Sequence, residues 1–286
     1  MVDMILVTGA TGTIGGEVVR QLSARGEQVR ALARDPAKAR VPSGVQVVRG
    51  DYLDPDSLEP GMSGVTAAFL VGVPGPGTRH DRDMVAAAVA AGVPRLVKLS
   101  AIATGDPDVG PSGTWHVAGE EAVRESGARW TVLRPSSFAS NTLSWAEAIR
   151  AGKPVPNLTG HGAQGVVDPR DVSEAAVRAL LDRGPAGRTY TLTGPEAISV
   201  PGQAAVLAAV LGRPVTTHDL APDETREHLL AWGMDEAQAA GVLAATAYVR
   251  RGGNTLVTDD LAALLGRPAR TYREWARDHR KAFGAG

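Results

Sequence analysis

Three glycines, Gly9, Gly12 and Gly15, lie between a short apolar run at residues 4–8 and a helical pattern that begins just after them. Gly9 allows a tight turn, Gly12 lets the backbone approach a bound group closely, and Gly15 lets the helix pack against the strand. The start of such a helix directs unpaired amides and its positive dipole end toward the turn. The spacing therefore predicts a strand, turn and helix that bind the pyrophosphate of a dinucleotide. The other residues expected to contact the dinucleotide at this turn are Thr11, Thr13 and Ile14.

Short apolar runs alternate with helical patterns through the first half of the chain. The predicted strands are 4–8, 28–33, 45–49, 65–71, 94–100 and 129–134, and the predicted helices are 13–25, 80–91 and 114–126. This alternation predicts an α/β fold with a doubly wound parallel sheet. Residues 65–71 and 95–100 are mostly apolar rather than alternating, which is typical of central strands covered on both faces.

The pattern changes from Asn141, where a new helix is expected to begin with that residue as its N-cap. A helix over 171–182 and a strand over 188–193 follow, and Asp171 with Glu174 has capping-box spacing. The last hundred residues read as mostly helical. These observations predict a Rossmann core over 1–150, to which 166–193 returns. They also predict a smaller, mostly helical C-terminal substrate lobe within 151–286.

The composition excludes several classes of function. The net charge of -1, without a basic cluster, argues against nucleic acid, and the absence of cysteine removes disulfides and thiolate sites. No long apolar stretch predicts a membrane span and no leader is apparent, so a cytoplasmic enzyme is expected. The six histidines lack metal-ligand spacing with acids, so no metal is expected, and residues 80–83 read as a solvated helix start.

The end of the second predicted strand indicates which dinucleotide binds. An NAD site usually has a carboxylate there for the ribose hydroxyls, but Ala33 occupies that position. Arg34 follows with a guanidinium that can clamp a 2'-phosphate, and Lys38 can add charge. NADP is therefore favoured, with NAD still possible. The alternative is that Arg34 is a solvated arginine and that Asp35 serves the ribose.

Further cofactor contacts are expected after the third and fourth strands. Asp51 could accept a hydrogen bond from the adenine amino group, with Tyr52 beside it; the alternative is a turn and helix cap shared with Asp54. The loop 72–77 has few side chains, so its backbone could lie along a cofactor ribose, or it could be a surface loop. The candidate contacts at its start are Val71, Gly72 and Val73.

Several motifs in order resemble the NmrA-like group of atypical short-chain dehydrogenase/reductases. They are Gly9-Ala-Thr-Gly-Thr-Ile-Gly15, Lys98-Leu-Ser-Ala101, His116-Val-Ala-Gly-Glu-Glu121, Leu133-Arg-Pro-Ser-Ser-Phe138 and Val166-Val-Asp-Pro-Arg-Asp171. The resemblance implies a Rossmann core with a small C-terminal lobe and a preference for NADP. It also implies membership of a group that contains quinone reductases, dye reductases, aromatic-metabolite tailoring reductases and non-catalytic cofactor sensors.

The chain departs from the main short-chain dehydrogenase pattern at its catalytic pair. The usual Tyr-x-x-x-Lys aligns best with Ser112-Gly-Thr-Trp-His116, so serine replaces the tyrosine and histidine replaces the lysine. None of the four tyrosines is followed by lysine at the fourth position after it. A positioned general acid contributes about 10²–10⁴-fold in rate, so an isolated ketone would suffer from its loss. A quinone suffers less because its conjugated system accepts hydride as a delocalised phenolate.

His116 and Ser100 are the candidate catalytic residues. Histidine can exchange a proton near neutral pH, so His116 could protonate or hydrogen-bond the acceptor; the alternative is a helix-start histidine that caps or packs beside Trp115. Ser100 ends the fifth predicted strand, where related enzymes hold a polar residue near the nicotinamide, and could instead form a turn with Ala101.

The end of the sixth predicted strand is expected to reach the nicotinamide carboxamide. The candidate cofactor contacts there are Pro135, Ser136, Ser137 and Phe138. Phe138 is also expected to line the acceptor pocket, unless it is a core phenylalanine. The other candidate substrate contacts are Trp115, Asn141 and Trp145.

Two functions follow from these observations. The first is hydride transfer from NADPH to a quinone or polycyclic aromatic acceptor, with a tailoring role in aromatic hydroxylation as the more specific expectation. The second is a non-catalytic redox sensor that binds the dinucleotide and acts through a protein partner. The glycine-lined and aromatic features at 71–77 and 135–145 favour the enzyme, since a sensor needs no acceptor pocket.

Overall fold

The computed structural model describes residues 3–73, 75, 79–182 and 184–284. The strands are β1 Met4–Val7, β2 Gln28–Ala33, β3 Gln46–Arg49, β4 Val65–Leu70, β5 Arg95–Leu99, β6 Arg129–Pro135, β7 Val155–Asn157, β8 Ala163–Gln164, β9 Arg188–Leu192, β10 Ile198–Ser199 and β11 Thr217–Asp219. The α-helices are α1 Thr13–Ala24, α2 Glu59–Met62, α3 His80–Ala90, α4 Val117–Glu125, α5 Ala146–Arg150, α6 Pro169–Leu181, α7 Val200–Leu211, α8 Pro222–Ala231, α9 Glu236–Arg250, α10 Asp260–Leu265 and α11 Tyr272–Asp278.

The chain divides into two compact units, each made of three segments. The first unit contains Met1–Thr104, Trp115–Arg134 and Pro169–Thr191, and the second contains Gly105–Thr114, Pro135–Asp168 and Leu192–Gly286. This division by compactness places residues 135–150 with the second unit, and the boundary at residue 150 stays a prediction about domains.

A seven-stranded sheet organises the first unit, in the order β3-β2-β1-β4-β5-β6-β9. The pairs β1–β2, β2–β3, β1–β4, β4–β5 and β5–β6 are all parallel. The strand order reverses between β1 and β4, which is where ligands bind in sheets of this kind. The predicted doubly wound α/β sheet is confirmed.

Helices α1 and α6 pack together within the first unit, and the hydroxyl of Ser173 donates to the Ile14 carbonyl at 3.2 Å. The apolar core of this unit includes Leu6, Phe69 and Leu96, all without solvent exposure. Strands buried in this way are apolar along most of their length, which explains why the sequence pattern located them.

The second unit is mostly helical, as expected, with two small two-stranded sheets. Its apolar core groups aromatic side chains from separate segments, with Trp145, Tyr272, Trp275 and Phe283 all buried. In the part of the chain that the structure describes, no helix has the length and apolar character needed to cross a membrane.

Two predictions of helix starts were wrong. The helix predicted over 171–182 begins at Pro169, so Asp171 lies in its first turn and does not cap it. Proline fits the first helical position because its fixed φ is already helical and the missing amide would have had no partner. Asn141 is not an N-cap either, because it lies inside the 3-10 helix Ala139–Trp145, whose N-cap is Phe138.

Candidate dinucleotide site and its polar surroundings

The turn after β1 is built on its glycines. Gly9 has φ +60°, which favours glycine, and its carbonyl accepts a hydrogen bond from the Gly12 amide at 2.9 Å. A Cβ at Gly15 would lie 2.3 Å from the Gly9 oxygen, and a Cβ at Gly12 would lie 3.3 Å from the same atom. The backbone of α1 therefore approaches the turn more closely than any side chain would allow.

The N-terminus of α1 fits a phosphate. Gly12 is the N-cap and provides no side chain to cap the helix. The first amide that bonds back to it is that of Gly16, at 2.9 Å, and helix geometry leaves the earlier amides of the first turn without partners four residues back. Thr11, Gly12 and Thr13 are exposed, while Ile14 and Gly15 are buried. Free amides beside a turn with glycine at Gly9 and Gly12 are an arrangement that can hold a pyrophosphate.

The ends of β1 and β4 are tied together beside this turn. The Thr8 hydroxyl accepts from the Val71 amide at 2.7 Å and lies 3.2 Å from the Phe69 carbonyl oxygen. The Tyr52 hydroxyl donates to the Val71 carbonyl at 2.7 Å, and burial raises the pKa of Tyr52. A Cβ at Gly9 would lie 3.0 Å from the Val71 Cβ. Val71 therefore lies against the glycine turn, held there by Tyr52 and Thr8.

The end of β2 presents Arg34 to solvent. Ala33 is buried, and no hydrogen bond or ion pair of the Arg34 side chain occurs among the described residues. Asp35 is occupied locally, since it accepts from the Ala37 amide at 3.2 Å and pairs with Lys38 at 3.1 Å. This geometry leaves Arg34 available for a 2'-phosphate, whereas Lys38 is partly neutralised by its neighbour.

After β3, Asp51 makes local hydrogen bonds of the kind expected if it shapes a turn, which was its alternative interpretation. Its carboxylate accepts from the Leu53 amide at 3.0 Å, and its amide donates to the Ser57 hydroxyl at 2.8 Å. A contact of Asp51 with adenine stays a prediction. In the loop 72–77, Gly72 is half-buried and Val73 is exposed, while residues 74, 76 and 77 lie outside the described part of the chain.

A buried charged cluster joins α3, β5 and the start of α4. The Lys98 ammonium lies 2.7 Å from Asp81 Oδ2, and His116 Nδ1 lies 3.4 Å from the same oxygen. Burial acts to raise the pKa of Asp81, but the contacts with His116 and Lys98 hold it below its usual value. Burial lowers the pKa of Lys98, an effect that Asp81 opposes. His116 is the N-cap residue of α4, as its alternative interpretation anticipated, but its side chain makes no capping bond.

Two glycines make room for the Asp81 side chain. A Cβ at Gly72 would lie 2.1 Å from Asp81 Oδ1, and a Cβ at Gly119 would lie 2.5 Å from the Asp81 Cβ. Within the described residues, Asp81 Oδ1 is buried without a hydrogen-bond partner. The expectation of a solvated helix start at residues 80–83 was therefore wrong for Asp81, whose side chain is only 12% exposed.

A second buried network holds Ser100. Its hydroxyl donates to Glu120 at 2.6 Å, and Arg134 forms two bonds of 2.7 Å with the same carboxylate. Arg124 adds a bond at 2.5 Å. Burial acts to raise the pKa of Glu120, but Arg134 and Ser100 hold it below its usual value. The Ser100 hydroxyl thus serves to connect β5 with α4, and a role at the nicotinamide stays a prediction.

The remaining candidates belong to the second unit, apart from Trp115, whose indole nitrogen is buried and unpartnered among the described residues. The Ser136 amide donates to the Leu192 carbonyl at 2.9 Å, and Phe138 bridges to Val167. Trp145 is buried in the apolar core of that unit, whereas Asn141 is exposed and lies 3.4 Å from the Ser137 hydroxyl. The roles of these residues and of the buried Pro135 stay predictions.

Sequence reasoning missed the partners of its own candidates. Lys98 and Glu120 lie in the motifs of the family resemblance but were assigned no role, and Asp81 was interpreted only as part of a solvated helix start. One signal was present: Lys98 is a charged residue between the apolar residues Val97 and Leu99 of β5. A buried lysine requires a partner, so the strand itself pointed to a carboxylate elsewhere. The described residues contain no cluster of histidine and acidic side chains suited to a metal ion.

Comparisons with known proteins agree with this geometry. Residues 9–183 match a family described as NAD(P)H-binding. The chain is 44% identical over 282 residues to (4-alkanoyl-5-oxo-2,5-dihydrofuran-3-yl)methyl phosphate reductase from Streptomyces griseus, covering 98% of this chain and 99% of the relative. It is 36% identical over 285 residues to an NAD(P)H azoreductase from Xenophilus azovorans, covering 99% and 100%. The structure of NADPH-dependent quinone oxidoreductase QOR2 from Escherichia coli, complexed with NADPH, superimposes with a TM-score of 0.84 at 28% identity, covering 96% and 99%.

Proposed function

The chain belongs to the NAD(P)H-binding protein family, and from that premise we propose that it is an NADPH-dependent reductase that transfers hydride to a quinone or polycyclic aromatic acceptor. The observation that carries the proposal is the full-length similarity to reductases that share one kind of acceptor. An azo group, a quinone and a dihydrofuranone bearing two carbonyl groups are all conjugated, electron-poor systems. A role as reductant in aromatic hydroxylation is the more specific form of the proposal.

Conjugation matters because the negative charge that arrives with hydride spreads over several atoms. Less proton transfer is then needed in the transition state, so positioning of the acceptor supplies more of the catalysis. This agrees with a chain in which no tyrosine is followed by lysine at the fourth position. An isolated ketone, which would become a strongly basic alkoxide, is the disfavoured acceptor.

The glycine turn and the first amides of α1 would hold the pyrophosphate, as their geometry suits a phosphate and no side chain fills the space at Gly12 and Gly15. Arg34 would contact the 2'-phosphate, because its guanidinium is exposed and has no other described partner. When bound, the nicotinamide supplies the hydride. His116 would donate a hydrogen bond or a proton to the heteroatom of the acceptor on which charge accumulates.

Steady-state assays test the proposal. NADPH oxidation is measured with a panel of quinones, an azo dye and an unsaturated furanone, and an isolated aliphatic ketone serves as the contrasting acceptor. We expect turnover of at least one conjugated acceptor and a rate with the ketone lower by about 10²-fold or more. Oxidation no faster than the enzyme-free blank with every acceptor, together with saturable NADPH binding, would favour the sensor instead.

A further inference from the structure

Asp81, Lys98 and His116 form the buried charged cluster described above, here called the polar cluster. The direction of the hydrogen bond between His116 and Asp81 in this cluster is fixed. Asp81 Oδ2 faces both partners, at 2.7 Å from the Lys98 ammonium and 3.4 Å from His116 Nδ1. The pKa of Asp81 lies below its usual value, because the pull of His116 and Lys98 exceeds the effect of burial. An ionised carboxylate only accepts hydrogen bonds, so Nδ1 must carry the hydrogen. The other ring nitrogen, Nε2, makes no hydrogen bond within the described residues.

Backbone on two sides keeps the carboxylate in this position. Gly72 and Gly119 approach Asp81 so closely that a methyl group on either would overlap its side chain. Lys98, which has no solvent exposure, also donates to the Leu99 carbonyl at 2.6 Å and is thereby fixed to β5. A buried lysine and carboxylate are costly to desolvate, and replacing both with apolar side chains is often neutral for stability. Stability alone therefore does not account for this pair, and its contact with His116 points to an effect on that histidine.

We propose that Asp81 is a positioning residue for His116, and that it holds the imidazole with hydrogen on Nδ1 so that Nε2 is the nitrogen that delivers the proton to the acceptor. Lys98 fixes the carboxylate and offsets part of the effect that its negative charge has on His116. This inference rests on the proposed function for the identity of the acceptor, although the orientation of the ring does not depend on it.

The proton and electron balance is simple. Both electrons reach the acceptor as hydride from NADPH, and the accompanying proton comes from the Nε2–H of the His116 imidazolium. The N–H bond breaks, an O–H or N–H bond forms on the acceptor, and the ring remains neutral with Nδ1–H donated to Asp81. Water then returns a proton to Nε2. The net change is acceptor plus NADPH plus one proton giving reduced acceptor plus NADP.

The charges near His116 within its own unit set the direction of the pH effects. On α3 the facing group is Asp81, while the His80 ring lies 5.5 Å from the Tyr52 ring, centroid to centroid, and Asp83 pairs with Arg79. On β5 the facing group is Lys98, and on α4 itself Glu120 is bound by Ser100 and arginines. Removing the Lys98 charge should favour the imidazolium, and removing the Asp81 charge should disfavour it. The imidazolium form is the proton donor, so kcat falls as pH rises through the His116 titration.

Nitrogen NMR of histidine-labelled protein, without cofactor or acceptor, provides the first test. The effect of Asp81→Asn is measured in the Lys98→Met background, because removing Asp81 alone would leave the buried Lys98 ammonium without a partner. Lys98→Met is therefore compared with Lys98→Met/Asp81→Asn. His116→Gln assigns the resonance. The wild type should show hydrogen on Nδ1 in the neutral ring. The midpoint of the His116 titration should rise in Lys98→Met and should fall by about 1 pH unit or more when Asp81→Asn is added. Asp83→Asn, on the same helix, is the matched control and should leave the midpoint in place.

A second readout uses the pH profile of turnover with whichever conjugated acceptor is reduced. The pH at which kcat falls should move in the same two directions as the NMR midpoint, while KM for NADPH stays nearly constant. Hydrogen on Nε2 in the wild type, or a midpoint that Asp81→Asn does not move in the Lys98→Met background, would overturn the inference. The expected NMR shifts without turnover of any acceptor would leave the positioning intact and contradict only the proposed function.

Discussion

Gly119 on α4 faces Asp81 on α3 so closely that a Cβ at residue 119 would lie 2.5 Å from the Cβ of Asp81. The two helices pack through this contact, and the distance between the carboxylate and His116 depends on it. Gly119 is therefore needed for the polar cluster, although it takes no part in any hydrogen bond of that cluster.

Gly119→Ala should reduce kcat strongly but reduce the free energy of unfolding only modestly. Alanine gains up to about 1 kcal/mol of helix propensity over glycine, which offsets part of the steric cost. Displacement of Asp81 should nevertheless reduce kcat by about 10-fold or more, within the ~10²–10⁴-fold worth of a positioned acid. Steady-state kinetics and urea unfolding measure the two effects. Glu121→Ala, at an exposed position of α4, is the control; equal loss in both variants would contradict the prediction.

Glu120→Gln should destabilise the protein at neutral pH by about 3 kcal/mol, the low end for removing one partner of a buried ion pair. The folded state holds the pKa of Glu120 below its ordinary value of 4.5, so its ionisation stabilises the fold above that pH. This stabilisation is lost as pH falls through the lowered pKa. Urea unfolding at neutral and acidic pH should show the difference from wild type shrinking in acid. Glu121→Gln should show no comparable effect, because that side chain is exposed.

Gly15→Ala and Gly16→Ala should separate the turn from the helix. A Cβ at Gly15 would lie 2.3 Å from a backbone oxygen that cannot move away freely, whereas at Gly16 the nearest atom would be 3.3 Å away. We expect Gly15→Ala to cost about 1–3 kcal/mol or more and to abolish NADPH binding, as an overpacked site does. Gly16→Ala should remain folded and bind. Calorimetric titration with NADPH and thermal unfolding of both variants measure the difference. Similar NADPH binding and similar stability of the two variants would contradict a role for the glycine turn in binding.

Arg34→Ala should weaken NADPH binding by about 1.5–3 kcal/mol, the range for a hydrogen bond to a charged group, and should leave NADH binding unchanged. Titrations with both coenzymes measure the difference. Arg40→Ala removes another exposed arginine after β2 and serves as the control. Equal weakening of NADPH and NADH binding would remove the 2'-phosphate role.

Local signals explain what the sequence predicted. The glycine spacing and the alternation of apolar runs were enough to predict the turn, the sheet and the binding of a dinucleotide, which agrees with the NAD(P)H-binding family. The resemblance to the NmrA-like group is confirmed by the reductases that match the whole chain. The predicted helix starts at Asp171 and Asn141 were wrong, because a capping serine, asparagine or aspartate is only one way to begin a helix. Proline in the first turn is another, and α6 begins with Pro169.

The polar cluster was missed for a different reason. Asp81 and Lys98 are brought together only when α3 packs on the sheet beside β5, so no spacing in the sequence records their contact. The same holds for Ser100 and Glu120, where hydroxyl and carboxylate come from a strand and the next helix. Side-chain pairing across elements is a property of the packed fold, whereas a turn or a strand is specified by neighbouring residues.

The interleaving of three segments in each compact unit has a consequence for dissection of the protein. A fragment that stops at residue 150 would lack α6, whose Ser173 hydroxyl donates to the Ile14 carbonyl in the first turn of α1, and would also lack the edge strand β9. Truncation therefore yields no minimal coenzyme module. The halves cannot be exchanged between homologues at a single crossover, and chimeras would have to swap several stretches of chain at once.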